Sequence, residues 1–96
     1  MRGIKLDELC SLISTGHEAE FVYKSALYVI QSEVQGNETF LTIWVCGEKA
    51  HCICKQLISV QGKIQQSVID KIFNEKCFDG KSFYEIESEI TVNNIF

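Results

Sequence analysis

The residues best suited to chemistry lie close together in one short stretch of the chain. Cys46, Cys52 and Cys54 supply thiols there, and His51 supplies an imidazole. Thiolates and imidazoles are the usual ligands of tetrahedral zinc, in pairs commonly two to four residues apart. A turn at 47–49 between two strands would bring Cys46 close to His51 or Cys52. The pattern predicts a metal-binding or redox-sensing hairpin over 46–54, with Cys46, Cys52 and Cys54 as candidate metal ligands.

The spacing within this stretch also fits a structural role. Cys52 and Cys54 are two residues apart, so in a strand they share one face while His51 points to the other. A fourth ligand would have to come from Cys10, on a predicted helix, or from Cys77, near the end of another. Free cysteine is also a common core residue that behaves as a small hydrophobe. The cysteines of this stretch can therefore be metal ligands or ordinary core residues, and the sequence leaves both alternatives open. No other cofactor is expected.

No set of residues has the order or spacing of a catalytic site, so we expect no catalytic residue. His17 with Glu18 and Glu20 could perform acid–base chemistry, but such charges are also typical of an edge strand, where they prevent aggregation. Glu85, Glu87 and Glu89 lack a partner base and fit a solvated helix face. A small enzyme would need a cleft lined by His17 or His51 with a carboxylate nearby.

Composition narrows the class of protein. The chain has 96 residues, enough for a single domain over 1–96, and a net charge of -4. Its nine basic residues are spread along the chain, whereas a nucleic-acid binder clusters them. No apolar run approaches a membrane span, and no signal peptide is evident. Five cysteines, an odd number, fit reduced thiols. We expect a cytoplasmic protein that binds neither nucleic acid nor membrane.

Hydrophobic periodicity predicts an α+β fold. Its parts are an N-terminal helix, an antiparallel β-meander of three to four strands, and two C-terminal helices packed on the sheet. In the first hairpin, a turn at Lys24-Ser25 pairs Phe21 with Tyr28 across the strands. The tail from Thr91 either adds a last strand or docks on the surface. The predicted helices are 5–14, 64–75 and 82–90, the last opened by a capping box, and the predicted strands are 18–33 as a hairpin, 38–46 and 50–58.

Strand 38–46 is apolar on both faces. Phe40, Thr42 and Trp44 alternate with Leu41 and Ile43. If helices cover only one face of the sheet, the other is an exposed apolar patch of the kind that marks a partner. Trp44 and Tyr84 are then candidate interface anchors. If helices cover both faces, the strand is simply central.

Two stretches carry a resemblance. GHEAEFVYKSALYVI (16–30) is similar to a Gly-x-Glu-x-Glu-Phe-x-Tyr hairpin, and FDGKSFYEIESEI (78–90) is similar to an Asp-Gly-Lys turn followed by a Glu-Ile helix. The pattern resembles small uncharacterised proteins of Gram-positive bacteria and their mobile elements. Here Lys24-Ser25 stands where Asn-Gly would suit the turn better, and the cysteine-rich strand has no counterpart. The resemblance implies a helix, a β-meander and C-terminal helices, but no activity.

These observations favour a non-enzymatic protein-interaction or regulatory module that works through a protein partner or through self-association, as in a homodimer. The alternatives are a Cys/His metal or redox regulator using the 46–54 hairpin and, third, a small enzyme.

Overall fold

The structure, a computed structural model, describes residues 1–58 and 63–96. The chain begins with helix α1, continues through four strands, and then adds two helices and a last strand. The elements are α1 Leu6–Ser14, β1 Ala19–Tyr23, β2 Ala26–Gln35, β3 Glu38–Val45, β4 His51–Ile58, α2 Gln66–Asn74, α3 Phe83–Ile86 with a 3₁₀ turn Glu87–Glu89, and β5 Thr91–Ile95.

The strands form one antiparallel sheet in the order β4-β3-β2-β1-β5. The predicted α+β class is confirmed, but the sheet has five strands rather than three or four. The tail forms the additional strand, and it pairs with β1 after the chain has passed through α2 and α3. The interpretation of Glu18 and Glu20 as the start of an edge strand is therefore wrong, because β1 lies between β2 and β5.

The first hairpin has the predicted register. Phe21 is the cross-strand partner of Tyr28, and their rings stack with centroids 5.3 Å apart. Lys24 and Ser25 form the two-residue turn with φ values of 49° and 66°. Both residues thus adopt the left-handed conformation that a type I′ hairpin turn requires, although neither favours it. The aromatic pair and the sheet around it hold the turn in this conformation.

The three α-helices of the described residues lie on one face of the sheet. The core contains Leu9 and Ile13 of α1, Ile69 of α2 and Ile86 of α3, none more than 1% exposed. The sheet residues packed against these helices alternate along every strand and belong to a single face: Ala19, Phe21, Tyr23, Ile30, Leu41, Ile43, Cys54 and Val92. Of the two alternatives for strand 38–46, residues 1–58 and 63–96 show coverage by helices on one side only.

Helix α3 is short, and its first turn is fixed by the predicted capping box. The Ser82 hydroxyl accepts a hydrogen bond from the backbone N–H of Glu85 at 3.2 Å, and the Glu85 carboxylate accepts one from the backbone N–H of Ser82 at 3.1 Å. These bonds satisfy donors that the start of a helix leaves free. Within the described residues, no helix has the length and apolar character needed to cross a bilayer.

The outer edge of β5 is partly closed by the start of the chain. Arg2 makes a parallel bridge with Thr91, through backbone bonds from Arg2 N–H to the Ile90 carbonyl and from Val92 N–H to the Arg2 carbonyl, both at 2.9 Å. Gly3 follows with φ of +94°, and a Cβ there would lie 2.3 Å from the Val92 carbonyl oxygen. Only glycine permits this close approach. The eight-residue strand β4 forms the opposite edge.

The strained turn leads to a stability prediction. Replacing Lys24→Asn together with Ser25→Gly puts residues that tolerate positive φ at both turn positions. Since the left-handed conformation costs an ordinary residue about 1–2 kcal/mol, we expect the free energy of unfolding to rise by about 1–2 kcal/mol in total. Urea unfolding followed by tryptophan fluorescence measures it. Ser25→Ala is the control, with no gain expected, and an unchanged or less stable double variant would contradict the strain argument.

Candidate functional site

A β-bulge divides the cysteines of β4 between the two faces of the sheet. Cys54 is the partner of Ile43, but Cys52, two residues earlier, is the partner of the next residue, Trp44. Adjacent residues of β3 point to opposite faces, and cross-strand partners share a face. Cys54 therefore lies on the helix side and Cys52 on the other. The prediction that Cys52 and Cys54 share a face is wrong, because the bulge shifts the alternation by one residue.

Cys46 and Cys52 lie on the side of the sheet away from the helices. The Cys46 N–H donates to the Leu27 carbonyl at 2.8 Å, which extends the β2–β3 ladder by one residue. The Cys52 thiol donates to the Cys54 carbonyl at 3.2 Å, and burial, with a further contribution from Glu33, raises the pKa of this thiol. Across residues 1–58 and 63–96 no three His, Cys, Asp or Glu side chains are grouped as a metal site would need. The three candidate metal ligands are thus not gathered at one point.

The structure instead pairs Cys54 with Cys77, which follows α2. The two thiols lie near enough to interact, and each changes the pKa of the other. The Cys54 S–H lowers the pKa of the Cys77 thiol by stabilising a thiolate there, and the same interaction, together with burial, raises the pKa of Cys54. A second contact holds the same segments together, since the Gln56 amide donates to the Glu75 carboxylate at 2.7 Å.

Cys77 also lines a cleft of about 250 Å³ at the end of the sheet. His51 and Asp79 line the same cleft, which is the combination of histidine and carboxylate that the enzyme hypothesis required. The His51 Nδ1 lies 2.8 Å from the Lys49 carbonyl. A carbonyl only accepts, so Nδ1 is the donor in this contact. The cleft thus brings a thiol, an imidazole and a carboxylate around one space. The other lining residues are Tyr23, Tyr28, Val45, Ile53 and Phe78.

On the other face of the sheet the described residues place no helix, and we call it the helix-free face. No element in the described part of the chain covers it. Its apolar side chains come from four adjacent strands, and most are half-buried: Val22, Leu27, Val29, Phe40, Trp44 and Leu57. Leu57, on the edge strand, is 47% exposed.

Side chains on the helix-free face partly cover one another. The Trp44 indole N–H donates to the Glu33 carboxylate at 2.9 Å. Trp44 pairs with Val29 and Glu33 with Phe40, so the indole extends across the intervening row that holds Thr42. Thr42 is 0% exposed although no helix lies above it. The Trp44 ring therefore lies flat along the sheet over Thr42, held in this position by its bond to Glu33.

Lys55 gives this face its positive charge. Its ammonium lies 4.6 Å from the centre of the Phe40 ring and 3.1 Å from the Gln35 side-chain oxygen, to which it donates a hydrogen bond. A cation over an aromatic face is stabilised by the negative potential of the ring. Glu20, in the row of Val29 and Trp44, supplies negative charge on β1. The face thus carries apolar side chains together with Lys55 on β4 and the carboxylates Glu20 on β1 and Glu33 on β2.

Tyr84, the second candidate anchor, lies on the helix side of the molecule and cannot join Trp44 in one patch. Its ring packs edge-on against Phe73 of α2 with centroids 5.5 Å apart, and its hydroxyl donates to the Asp70 carboxylate at 2.5 Å. That bond, followed by one from the Gln66 amide, lowers the pKa of Asp70. Tyr84 holds α3 against α2.

The remaining charged candidates have local partners. The His17 Nδ1 lies 2.8 Å from the Phe96 carbonyl and docks the end of β5 beside the start of β1. Glu85 belongs to the capping box and pairs with Lys76, and the Lys76 contact is the main cause of its lowered pKa. His17 and Glu20 are not brought together with a nucleophile.

Comparison with known proteins finds no matching family model, no matching curated protein and no matching solved structure. The resemblance to small proteins of Gram-positive bacteria therefore stays an expectation.

Sequence reasoning named Cys77 as a possible fourth ligand but did not predict its contact with Cys54. The only sequence signal was the apolar pattern of α2, which places this helix on the sheet and leaves Cys77 just beyond its end. The partner on β4 depends on the bulge, which has no marker such as glycine in His51-Cys52-Ile53-Cys54.

The Tyr84–Asp70 bond predicts a pH-dependent contribution to stability. Because the folded-state pKa of Asp70 is lowered, the contribution is present above its unfolded pKa of about 4 and is lost as pH falls through the folded value. Tyr84→Phe should lower Tm by a few degrees at neutral pH, and the difference from the unmodified protein should shrink below about pH 4. Tyr28→Phe, which removes a hydroxyl not bonded to Asp70, is the control. A difference that persists unchanged in acid would contradict this assignment.

Proposed function

We propose that the chain is a non-enzymatic protein-interaction module and that its helix-free face binds the same face of a second copy. The observation that carries the proposal is the sheet surface around Trp44, where apolar side chains from four strands lie together and no helix of the described residues covers them. An apolar surface of this kind gains free energy when a partner removes it from water.

The shape of the face suits a sheet as its partner. Trp44 lies flat, fixed by its bond to Glu33, and Lys55 lies along Phe40. Side chains that are already ordered lose little entropy when a partner packs on them. Two sheets that pack face to face bury their inner side chains in a layer about 10 Å thick, with strands nearly aligned. A low, wide surface can form such a layer, whereas a narrow groove would suit a single peptide segment.

The charges on the face favour a second copy as the partner. In a two-fold dimer, each residue meets the same surface of the other subunit. A two-fold axis that runs along the strands between β2 and β3 places Trp44 of each copy over the Val29 strand of the other. The same axis carries β4 over β1, so Lys55 approaches Glu20 of the second copy. These opposite charges then complement each other.

The first test is the effect of a charge within the face. Leu57→Glu should weaken dimerisation at least tenfold, because the carboxylate would be buried in the contact. Val34→Glu is the matched control: Val34 is 70% exposed, lies on the other side of its strand and should not matter. Both variants change the net charge equally. Sedimentation velocity across a concentration series measures the dissociation constant, and a monomer at every concentration for the unmodified chain would refute the homodimer.

Trp44 reports on the contact directly, since it is the only tryptophan in the chain. Burial against a second sheet should shift its emission to the blue and reduce quenching by acrylamide as concentration rises. Leu57→Glu should remove this concentration dependence, and Val34→Glu should keep it. An emission spectrum independent of concentration while the chain dimerises would place the contact elsewhere.

The charge arrangement is tested separately by reversal. Lys55→Glu alone, and Glu20→Lys alone, should each weaken the dimer severalfold by placing like charges together. The double variant restores opposite charges and should recover most of the affinity. Circular dichroism of each variant checks the fold. If the double variant loses as much affinity as the two single variants combined, the proposed orientation is ruled out.

A further inference from the structure

Two thiols from different parts of the chain meet on the helix side of the sheet. Cys54 lies on β4, and Cys77 lies beyond the end of α2. Gln56 lies on the same face of β4 as Cys54, and its amide donates at 2.7 Å to Glu75, two residues before Cys77, so the fold holds the two thiols in neighbouring positions. Neighbouring cysteines can be joined with less backbone movement than distant ones.

The two thiols differ in access to solvent. Cys54 is 7% exposed and does not line the cleft. Cys77 is half-buried and forms part of the cleft wall with His51 and Asp79. A small molecule entering the cleft therefore meets Cys77 first, while Cys54 lies behind it.

The thiols also differ in their readiness to ionise. The Cys54 S–H lowers the pKa of Cys77, while burial raises the pKa values of Cys10 and Cys52. The thiolate is the form of cysteine that attacks an oxidant. Redox-sensitive cysteines combine thiolate character with solvent access and a neighbouring thiol that resolves the oxidised form. Cys77 has all three properties.

We propose that Cys77 and Cys54 form a reversible dithiol site for small hydroperoxides, with Cys77 as the attacking thiol and Cys54 as the resolving thiol. The site lies on the face opposite Trp44, so it is independent of the proposed dimer contact.

The reaction balances as two steps. The Cys77 thiolate attacks the terminal oxygen of the hydroperoxide, the O–O bond breaks, and the alkoxide or hydroxide that leaves takes up a proton, giving a sulfenic acid on Cys77. The Cys54 sulfur then attacks the Cys77 sulfur, the S–O bond breaks, and hydroxide leaves with the Cys54 proton as water. Overall, two thiols are oxidised to one disulfide, and the peroxide is reduced to one alcohol and one water, or to two waters when it is hydrogen peroxide. His51 lines the same cleft, where an imidazole can pass protons to the leaving groups.

The test uses the reduced full chain and stoichiometric hydrogen peroxide. We expect the intact mass to fall by two hydrogen atoms, peptide mapping to join Cys54 to Cys77, and dithiothreitol to restore the thiols. Cys54→Ser should stop at the sulfenic acid, which dimedone traps on Cys77. Cys77→Ser should slow peroxide consumption at least tenfold. Cys10→Ser and Cys52→Ser are matched controls and should behave as the unmodified chain.

Several results would overturn the proposal. One is a disulfide between another pair, such as Cys46 and Cys52, or between two chains. Another is dimedone trapping in Cys54→Ser that is no greater at Cys77 than at the half-buried Cys46. If Cys54→Ser fails to fold by circular dichroism, Cys54→Ala supplies the same test, since it also lacks the resolving sulfur. Equal rates of peroxide consumption by the unmodified chain and by folded Cys77→Ser would exclude Cys77 as the attacking thiol.

Discussion

The aromatic contacts of Phe21 connect the sheet to the segments that follow α2. Its ring stacks on Tyr28 at 5.3 Å and meets Phe83 edge-on at 5.4 Å, and Phe83 in turn stacks on Phe73 at 4.0 Å. Aromatic pairs at these separations add stabilisation beyond the area they bury. This cluster holds α2 and α3 against the same face, and Phe78 joins it 6.2 Å from Phe21. Because Phe78 is fixed there, the preceding residue, Cys77, is held near β4.

Because the helices cover one face of the sheet, the other face is shielded from water only by the side chains of its own strands. A chain of 96 residues has little material for a second layer of helices. Trp44 and Lys55 partly replace that layer, since they lie along the sheet and shield Thr42 and Phe40. Antiparallel sheets commonly have one face packed and one solvated, with polar residues on the solvated face. Here the second face keeps valines and aromatic residues, and the proposed dimer contact would bury them.

The sequence predicts features that depend on neighbours along the chain. The Phe21–Tyr28 register, the capping box at Ser82 and the alternation of β3 follow from periods of two or four residues. The sequence does not decide the structure of the tail, because Thr91–Ile95 has a single buried residue, Val92, and becomes a strand through its pairing with β1, about seventy residues earlier. The local pattern does not contain that pairing, so it wrongly predicts β1 as an edge strand.

The bulge on β4 limits prediction most severely, because a single extra residue reverses every later side chain of the strand. Without it, Cys52 and Cys54 would share a face, and Lys55 and Leu57 would point toward the helices. With it, Cys54 reaches Cys77, while Lys55 and Leu57 join Trp44 on the helix-free face. Both proposed sites therefore depend on the same irregularity, although they use opposite faces of the strand. In a homologous chain without the bulge, Cys54 would no longer lie beside Cys77, and Lys55 and Leu57 would no longer lie on the helix-free face. The two features would be lost together.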